Sequence, residues 1–318
     1  MRLFITGATG VIGRRVVPLC LIRGHEVTAF GRSAEARRAL HRVGARPVTV
    51  DLFDRAELAT VLTGCDAVVN LATHMPRSSL RMLLPGAWRE NDRLRRDASA
   101  ALADAALRVG IERFIQESFA PVYPDRGAEW IDETTPIEPA RYNRTVADAE
   151  NAAARFTAAG GAGVVLRFAA FYGPDSRFLG DLVHAVRHGY APLFGSPDAY
   201  ISSVAHDDAA AAVIAALQVP AGAYNVADDE PVTHRSFVDS LADALGAPHP
   251  RLPPSWMTAL GGSPAATLAR SLRVSNRKLK AACGWTPVFR SVRDGWPAAV
   301  TPFRGERASS DLHVPARP

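Results

Sequence analysis

The chain has 318 residues, 47% of them hydrophobic, with a formal charge of +5 and a sequence pI near 9.4. That length accommodates one large domain or a nucleotide domain with a smaller lobe, and the apolar content can fill its core, which excludes global disorder. The arginines are scattered instead of forming a run with aromatics, which argues against a nucleic-acid partner, and no uninterrupted apolar stretch reaches bilayer length.

Residues 2–6 read as a short buried strand. Gly7, Gly10 and Gly13 follow at three-residue spacing, ahead of a helix carrying Val16, Val17, Leu19 and Leu21. Glycines here let a tight turn bring backbone N–H groups against a pyrophosphate, and the helix start adds unpaired N–H groups and a positive dipole end. A dinucleotide is the expected occupant of Gly7, Thr9, Gly10, Val11, Ile12 and Gly13. Residues 25–30 form a second predicted strand, whose end would normally carry an acid for the adenosine ribose hydroxyls. The chain instead reads Gly31-Arg32. Arg32, with Arg37 or Arg38 nearby, suits a ribose phosphate, so NADP is the expected cofactor and NAD the alternative.

Residues 48–50 give a third strand ending in Asp51-Leu52, a helix spans 56–62, and a fourth strand spans 67–71, leading into Ala72. A helix is expected over 87–109, a fifth strand over 113–116, an alanine-rich helix over 142–159 and a sixth strand over 164–168. Strands alternating with helices predict an α/β fold: a Rossmann, doubly wound parallel sheet with a smaller C-terminal lobe. Residues 1–170 form the expected nucleotide domain, with a returning segment near 198–227. The lobe takes 171–197 and 228–302, with 248–254 as a Pro-rich connection, and residues 303–318 lack periodicity and read as a disordered tail.

The run Thr6-Gly7-Ala8-Thr9-Gly10-Val11-Ile12-Gly13 resembles the glycine motif of extended short-chain dehydrogenases/reductases, the NAD-dependent epimerase/dehydratase group. Arg167 to Pro174, Val204 to Ala209, Tyr224-Asn225-Val226 and Gly284-Trp285-Thr286-Pro287 resemble later family stretches in the same register, so the resemblance covers roughly residues 1–300. It implies that Asp51 and Leu52 lie near the adenine and that Leu71 and Ala72 line the cofactor. Asp51 reads equally well as a helix cap. The resemblance also implies a homodimer through the helices at 87–109 and 142–159.

Family members use a tyrosine and a lysine four residues later on one helix, with a serine or threonine nearby. The lysine lowers the phenol pKa and holds the nicotinamide ribose. Here the pair is Tyr142 and Val146, and the only lysines in the chain are Lys278 and Lys280. The usual hydroxyl position falls on Phe119, with Ser118 one residue earlier. Tyr142 is therefore either a neutral hydrogen-bond donor at the reacting oxygen or a pocket wall. His74, after the fourth strand, is an alternative acid/base group, ahead of Asn91, Glu133, Asn143 and Arg144. No metal-ligand spacing and no Gly-x-Ser-x-Gly elbow occur, and Cys20, Cys65 and Cys283 form no disulfide framework.

The expected function is NAD(P)-dependent epimerase, dehydratase or reductase chemistry at a hydroxyl or carbonyl carbon of a small metabolite. The alternatives are a non-redox enzyme that keeps its nucleotide and a nucleotide-binding sensor. No charged leader precedes the first strand, so a cytoplasmic protein without a membrane partner is expected.

Overall fold

The computed structural model describes residues 1–76 and 85–308; residues 309–318 of the expected tail lie outside the described residues. The strands, in chain order, are β1 (Arg2–Thr6), β2 (Glu26–Phe30), β3 (Arg46–Val48), β4 (Ala67–Asn70), β5 (Arg113–Phe119), β6 (Trp130–Ile131) and β7 (Ala162–Phe168). They continue with β8 (Ala170–Tyr172), β9 (Tyr200–Ile201), β10 (Ser203–Ala205), β11 (Gly222–Val226), β12 (Val232–Thr233) and β13 (Arg273–Val274). A seven-stranded sheet has the order β3-β2-β1-β4-β5-β7-β11, with every neighbouring pair parallel. The direction of winding reverses between β1 and β4. In such sheets the crevice outside the carboxyl ends at that point is where ligands bind.

Alternation along the central strands sends side chains to two cores. Leu3 and Ile5 join Val16 and Val17 of α1 (Gly13–Ile22) and Leu40 of α2 (Ala34–Arg42). Phe4, between them, packs with Leu58 and Leu62 of α3 (Arg55–Leu62) on the opposite face. The sheet is therefore covered on both sides, as a parallel sheet requires.

The predicted helix over 87–109 is divided. A 3-10 turn, Pro85–Trp88, leads into α4 (Arg89–Arg93), then a π turn at Leu94–Ala98, then α5 (Ser99–Arg108). Such π turns recur at functional sites. The alanines of α5 pack inside the subunit: Ala101, Ala105 and Ala106 share a core with Ala152 and Ala153 of α6 (Val146–Ala158).

Three further boundaries differ from expectation. β3 ends at Val48, not Val50, because its partner β2 ends at Phe30, directly opposite. β5 runs on to Phe119 because β7 pairs with it through Ser118↔Arg167 and Phe119↔Phe168. α6 begins at Val146, so Tyr142 stands in the turn before the helix instead of on it. There Val146 N donates to Asn143 O, a three-residue step tighter than an α turn, and Thr145 Oγ1 donates to Asp92 Oδ1 (2.7 Å), tying the turn to α4.

A separate apolar cluster gathers Leu179, Leu182 and Val186 of α7 (Arg177–Arg187) with Phe237 and Leu241 beyond α8 (His206–Ala215) and β11, on α9 (His234–Leu245). Phe303 packs against this cluster within a 3-10 stretch, Thr301–Ala308, so 303–308 are helical where disorder was expected.

Candidate active site

The glycine turn is closed by contacts that only glycine permits. Gly7 has φ +63°, and a Cβ there would lie 2.2 Å from Leu71 O at the end of β4. A Cβ on Gly13 would lie 2.1 Å from Gly7 O. Gly10 N donates to Gly7 O (2.9 Å), which folds Thr9, Gly10 and Val11 outward as an exposed rim while Ile12 is buried behind it. No acidic residue occupies the first turn of α1. The loop is a cradle fit for a pyrophosphate, set at the positive dipole end of α1.

Leu71 is buried and Ala72 half-buried beside this loop, with Ala72 N donating to Asn70 Oδ1. Asn70 Oδ1 also accepts from Thr6 Oγ1 (2.5 Å), and Asn70 Nδ2 donates to Gln116 Oε1 and Ser99 Oγ (2.8 and 3.1 Å). One amide thus fastens the ends of β1 and β4 to the middle of β5, which fixes the floor of the crevice.

At the end of β2, Gly31 leaves room for Arg37. A Cβ at Gly31 would lie 2.6 Å from Arg37 Cγ, and Arg37 Nη1 donates to Gly31 O and Thr49 Oγ1. Arg32 projects next to it, exposed, as does Arg38. Asp51 is not a helix cap. It accepts from Phe53 N in a local turn, and Asp54 caps α3 by accepting from Ala56 N and Glu57 N. Leu52 is buried beside Asp51.

Tyr142 is packed against Trp88, with ring centroids 4.9 Å apart. Burial raises its phenol above the ordinary value, an effect opposed by the charge of Arg95 and by the polar side chains of Asn143 and Thr267. Val146 is fully buried with Ala120, Val122, Tyr123, Ile131, Leu272 and Val274. It faces an apolar cluster, so nothing at 146 can replace a lysine.

Ser118 is spent elsewhere. Its Oγ donates to Glu150 Oε1 (2.6 Å), and Glu150 takes both Nε and Nη2 of Arg167 (2.9 and 2.6 Å). Arg167 Nη1 donates to Tyr123 Oη, which donates in turn to Asn225 Oδ1 (both 2.8 Å). This buried chain ties β5, β7, β11 and α6 together, and Ser118 is part of that brace. His74 is half-buried, and its backbone N donates to Asn91 Oδ1 (3.0 Å). Glu133 is likewise engaged, accepting from Asn225 N (2.7 Å), and Arg144 is exposed.

Arg95, which sequence reasoning passed over, stands with Glu117 at the carboxyl end of β5. Arg95, on the π turn, is 4% exposed, with its guanidinium carbon 4.7 Å from the centre of the Phe119 ring and Nη2 3.7 Å from Glu117 Oε1. Glu117 is raised by burial, with Arg95 opposing. The signal was legible: Trp88, Asn91, Arg95, Ala98 and Leu102 form one buried stripe at helical spacing, with two polar residues in it. Among the described residues no cluster of three metal-ligating side chains occurs, and no helix is long and apolar enough to cross a membrane.

The description of the NAD dependent epimerase/dehydratase family matches residues 3–227. The chain is 33% identical over 313 residues to a 3-diazoavenalumate denitrifying reductase from a Streptomyces species, covering 93% of this chain and 99% of that one. It is 30% identical over 256 residues to a 4-hydroxy-2-methyl-3-oxo-4-farnesyl-3,4-dihydroquinoline-1-oxide ketoreductase from Stigmatella aurantiaca, covering 77% and 74%. Among solved structures it resembles the dTDP-glucose 4,6-dehydratase DesIV of Streptomyces venezuelae with NAD and TYD bound, with TM-score 0.77, 25% identity and coverage of 96% and 98%.

Proposed function

The chain belongs to the NAD-dependent epimerase/dehydratase family, and from its site we propose that it works as a reductase, delivering hydride from a reduced nicotinamide to an electron-poor carbon of a small molecule. The observation that carries this reading is a half-buried phenol in the turn before α6, with valine instead of a cation at 146. Burial raises Tyr142, so its oxygen keeps its proton at neutral pH. A protonated phenol can donate to an oxygen that gains negative charge, as reduction of a carbonyl requires. Removing a hydroxyl proton, as hydroxyl oxidation would demand, needs a base that this phenol is not. The two relatives described as reductases support the same direction.

The glycine loop and the N-terminus of α1 would hold the pyrophosphate, and Leu71 and Ala72 would flank the cofactor. Arg32 would meet a ribose phosphate, which favours NADP over NAD. When bound, the cofactor supplies the hydride. Tyr142 would orient and polarise the acceptor oxygen, with Trp88 fixing the phenol ring. A homodimer through α5 and α6 would rest on their outer polar residues, such as Asp148, Asn151 and Arg155, because the inner alanines are consumed within the subunit. Light scattering at twice 34.0 kDa would support that contact, and a mass of 34.0 kDa would remove it.

Val146 favours a second form of the same reduction, in which the acceptor carbon bears a diazonium group. Hydride supplied by the cofactor would form a C–H bond as the C–N bond breaks, with the electron pair of that C–N bond leaving in dinitrogen. No oxygen gains charge, so no phenol–lysine relay is required. Loss of NADPH absorbance with aromatic ketones and with diazo-phenols tests both forms. Tyr142→Phe is expected to slow ketone reduction about a hundredfold or more and to spare dinitrogen release. If the nucleotide binds but neither class consumes NADPH, the reductase reading fails.

A further inference from the structure

Buried polar atoms rarely go without partners, and those that do ask for an explanation such as a bound ligand. Near the carboxyl end of β5 several occur together. Arg95 Nε and Nη1, Glu117 Oε2, and both amide atoms of Asn143 are buried without a hydrogen-bond partner. Arg95 and Asn143 are 4% and 1% exposed. Asn143 adjoins Tyr142 in sequence, and the surroundings are aromatic: Phe119 lies under the guanidinium and the Trp88 ring packs at a tilt against Tyr142.

We propose that Arg95 and Asn143, framed by Phe119, Trp88 and Tyr142, form a subsite for an anionic oxygen, a carboxylate or phenolate, on a flat conjugated substrate. This rests on the reductase reading above and narrows its substrate class. A buried guanidinium needs a counter-charge. Glu117 supplies it poorly: Nη2 to Oε1 is 3.7 Å, beyond hydrogen-bond distance, and burial opposes its ionisation. An incoming anion would take the unused donors of Nε and Nη1, and Asn143 Nδ2, which faces the Tyr142 phenol, offers another. Conjugated rings suit the aromatic walls, which favour flat partners by stacking.

The test uses the full chain with NADP+ bound, and two probes of one shape that differ in charge, trans-cinnamate and trans-cinnamamide, titrated by calorimetry. Wild type is expected to bind cinnamate at least tenfold more tightly. Arg95→Gln should abolish that preference while leaving NADP+ affinity within twofold, and Arg95→Lys should retain part of it. Glu117→Gln, which removes the competing carboxylate, should tighten cinnamate binding several-fold, a gain that a structural role for Glu117 would not produce. Equal binding of the two probes by wild type overturns the proposal, and so does binding of neither at millimolar concentration. Loss of NADP+ affinity in Arg95→Gln with the charge preference intact would assign Arg95 to the cofactor and overturn it too. Failure of wild type to bind NADP+ at all would instead strike the reductase reading.

Discussion

Val146→Lys introduces the lysine that the sequence resemblance leads one to expect four residues after Tyr142, yet the structure predicts harm. Val146 is fully buried, and its neighbours Ala120, Val122, Ile131, Leu272 and Val274 offer an ammonium nothing to pair with. The phenol oxygen of Tyr123, in the same cluster, already accepts from Arg167 and donates to Asn225. An uncompensated buried charge destabilises by about 3–5 kcal/mol. At about 2 °C per kcal/mol for a chain of this size, Tm should fall by about 6–10 °C. Val146→Met, nearly as long but uncharged, separates the charge from crowding and should lose far less. The sign with pH is also fixed. Burial depresses the lysine's folded-state pKa, so the unfolded chain binds more protons, and the deficit should shrink as pH rises toward 10. Thermal unfolding of both variants at pH 7 and pH 10 provides the comparison. Equal Tm values for Val146→Lys and wild type, or a deficit that grows with pH, would refute the reasoning.

Ser118→Ala removes one donor from Glu150 but leaves the Arg167 pair, so it should cost about 1–2 kcal/mol in denaturant unfolding while NADPH turnover stays within twofold; a turnover loss of a hundredfold would return Ser118 to the catalytic group. Arg32→Ala should raise the Kd for NADPH about tenfold, one charge-assisted phosphate contact, and leave NADH unchanged, as calorimetry with both nucleotides would show. Asp228 is held well above the ordinary carboxyl range by burial, and its Oδ1 has no partner. Its folded state retains a proton that the unfolded chain loses, so stability should fall as pH rises above about 4. Asp228→Asn should flatten that decline and stabilise the protein at pH 8; an unchanged pH slope would exclude Asp228 as its source.

The sheet and the phosphate loop were legible because their causes are local. Glycines at 7, 10 and 13 and apolar runs such as Leu3-Phe4-Ile5 permit few other structures, and the contacts of Gly7 and Gly13 show the constraint directly. Boundaries that depend on a partner strand were not legible. β5 gains Glu117, Ser118 and Phe119 only because β7 extends alongside it, and that extension put Ser118 beside Glu150 and Glu117 beside Arg95. Tyr142 was placed on a helix by motif spacing. The turn at 141–145, anchored by Thr145 to Asp92, separates it from α6. Pairwise spacing along the chain cannot reveal such an anchor, since its other half is 53 residues away.

Arg95 and Val146 have Phe119 as a shared neighbour. Its ring carries the guanidinium of Arg95 on one side, and it packs against the cluster that buries Val146. A cation at 146 would therefore enter a region of low dielectric already holding one cation, and like charges there repel more strongly than in water. Valine at 146 adds no such repulsion to Arg95. A double-mutant cycle measures this directly. If the two positions share an electrostatic region, the destabilisation caused by Val146→Lys should be smaller in an Arg95→Gln background, with a coupling of about 1 kcal/mol or more at low salt. Val146→Met in the same background should show no such coupling, because it adds no charge. Additivity of Val146→Lys and Arg95→Gln within about 0.5 kcal/mol would mean that valine at 146 answers only to the apolar cluster, and that the two positions act independently.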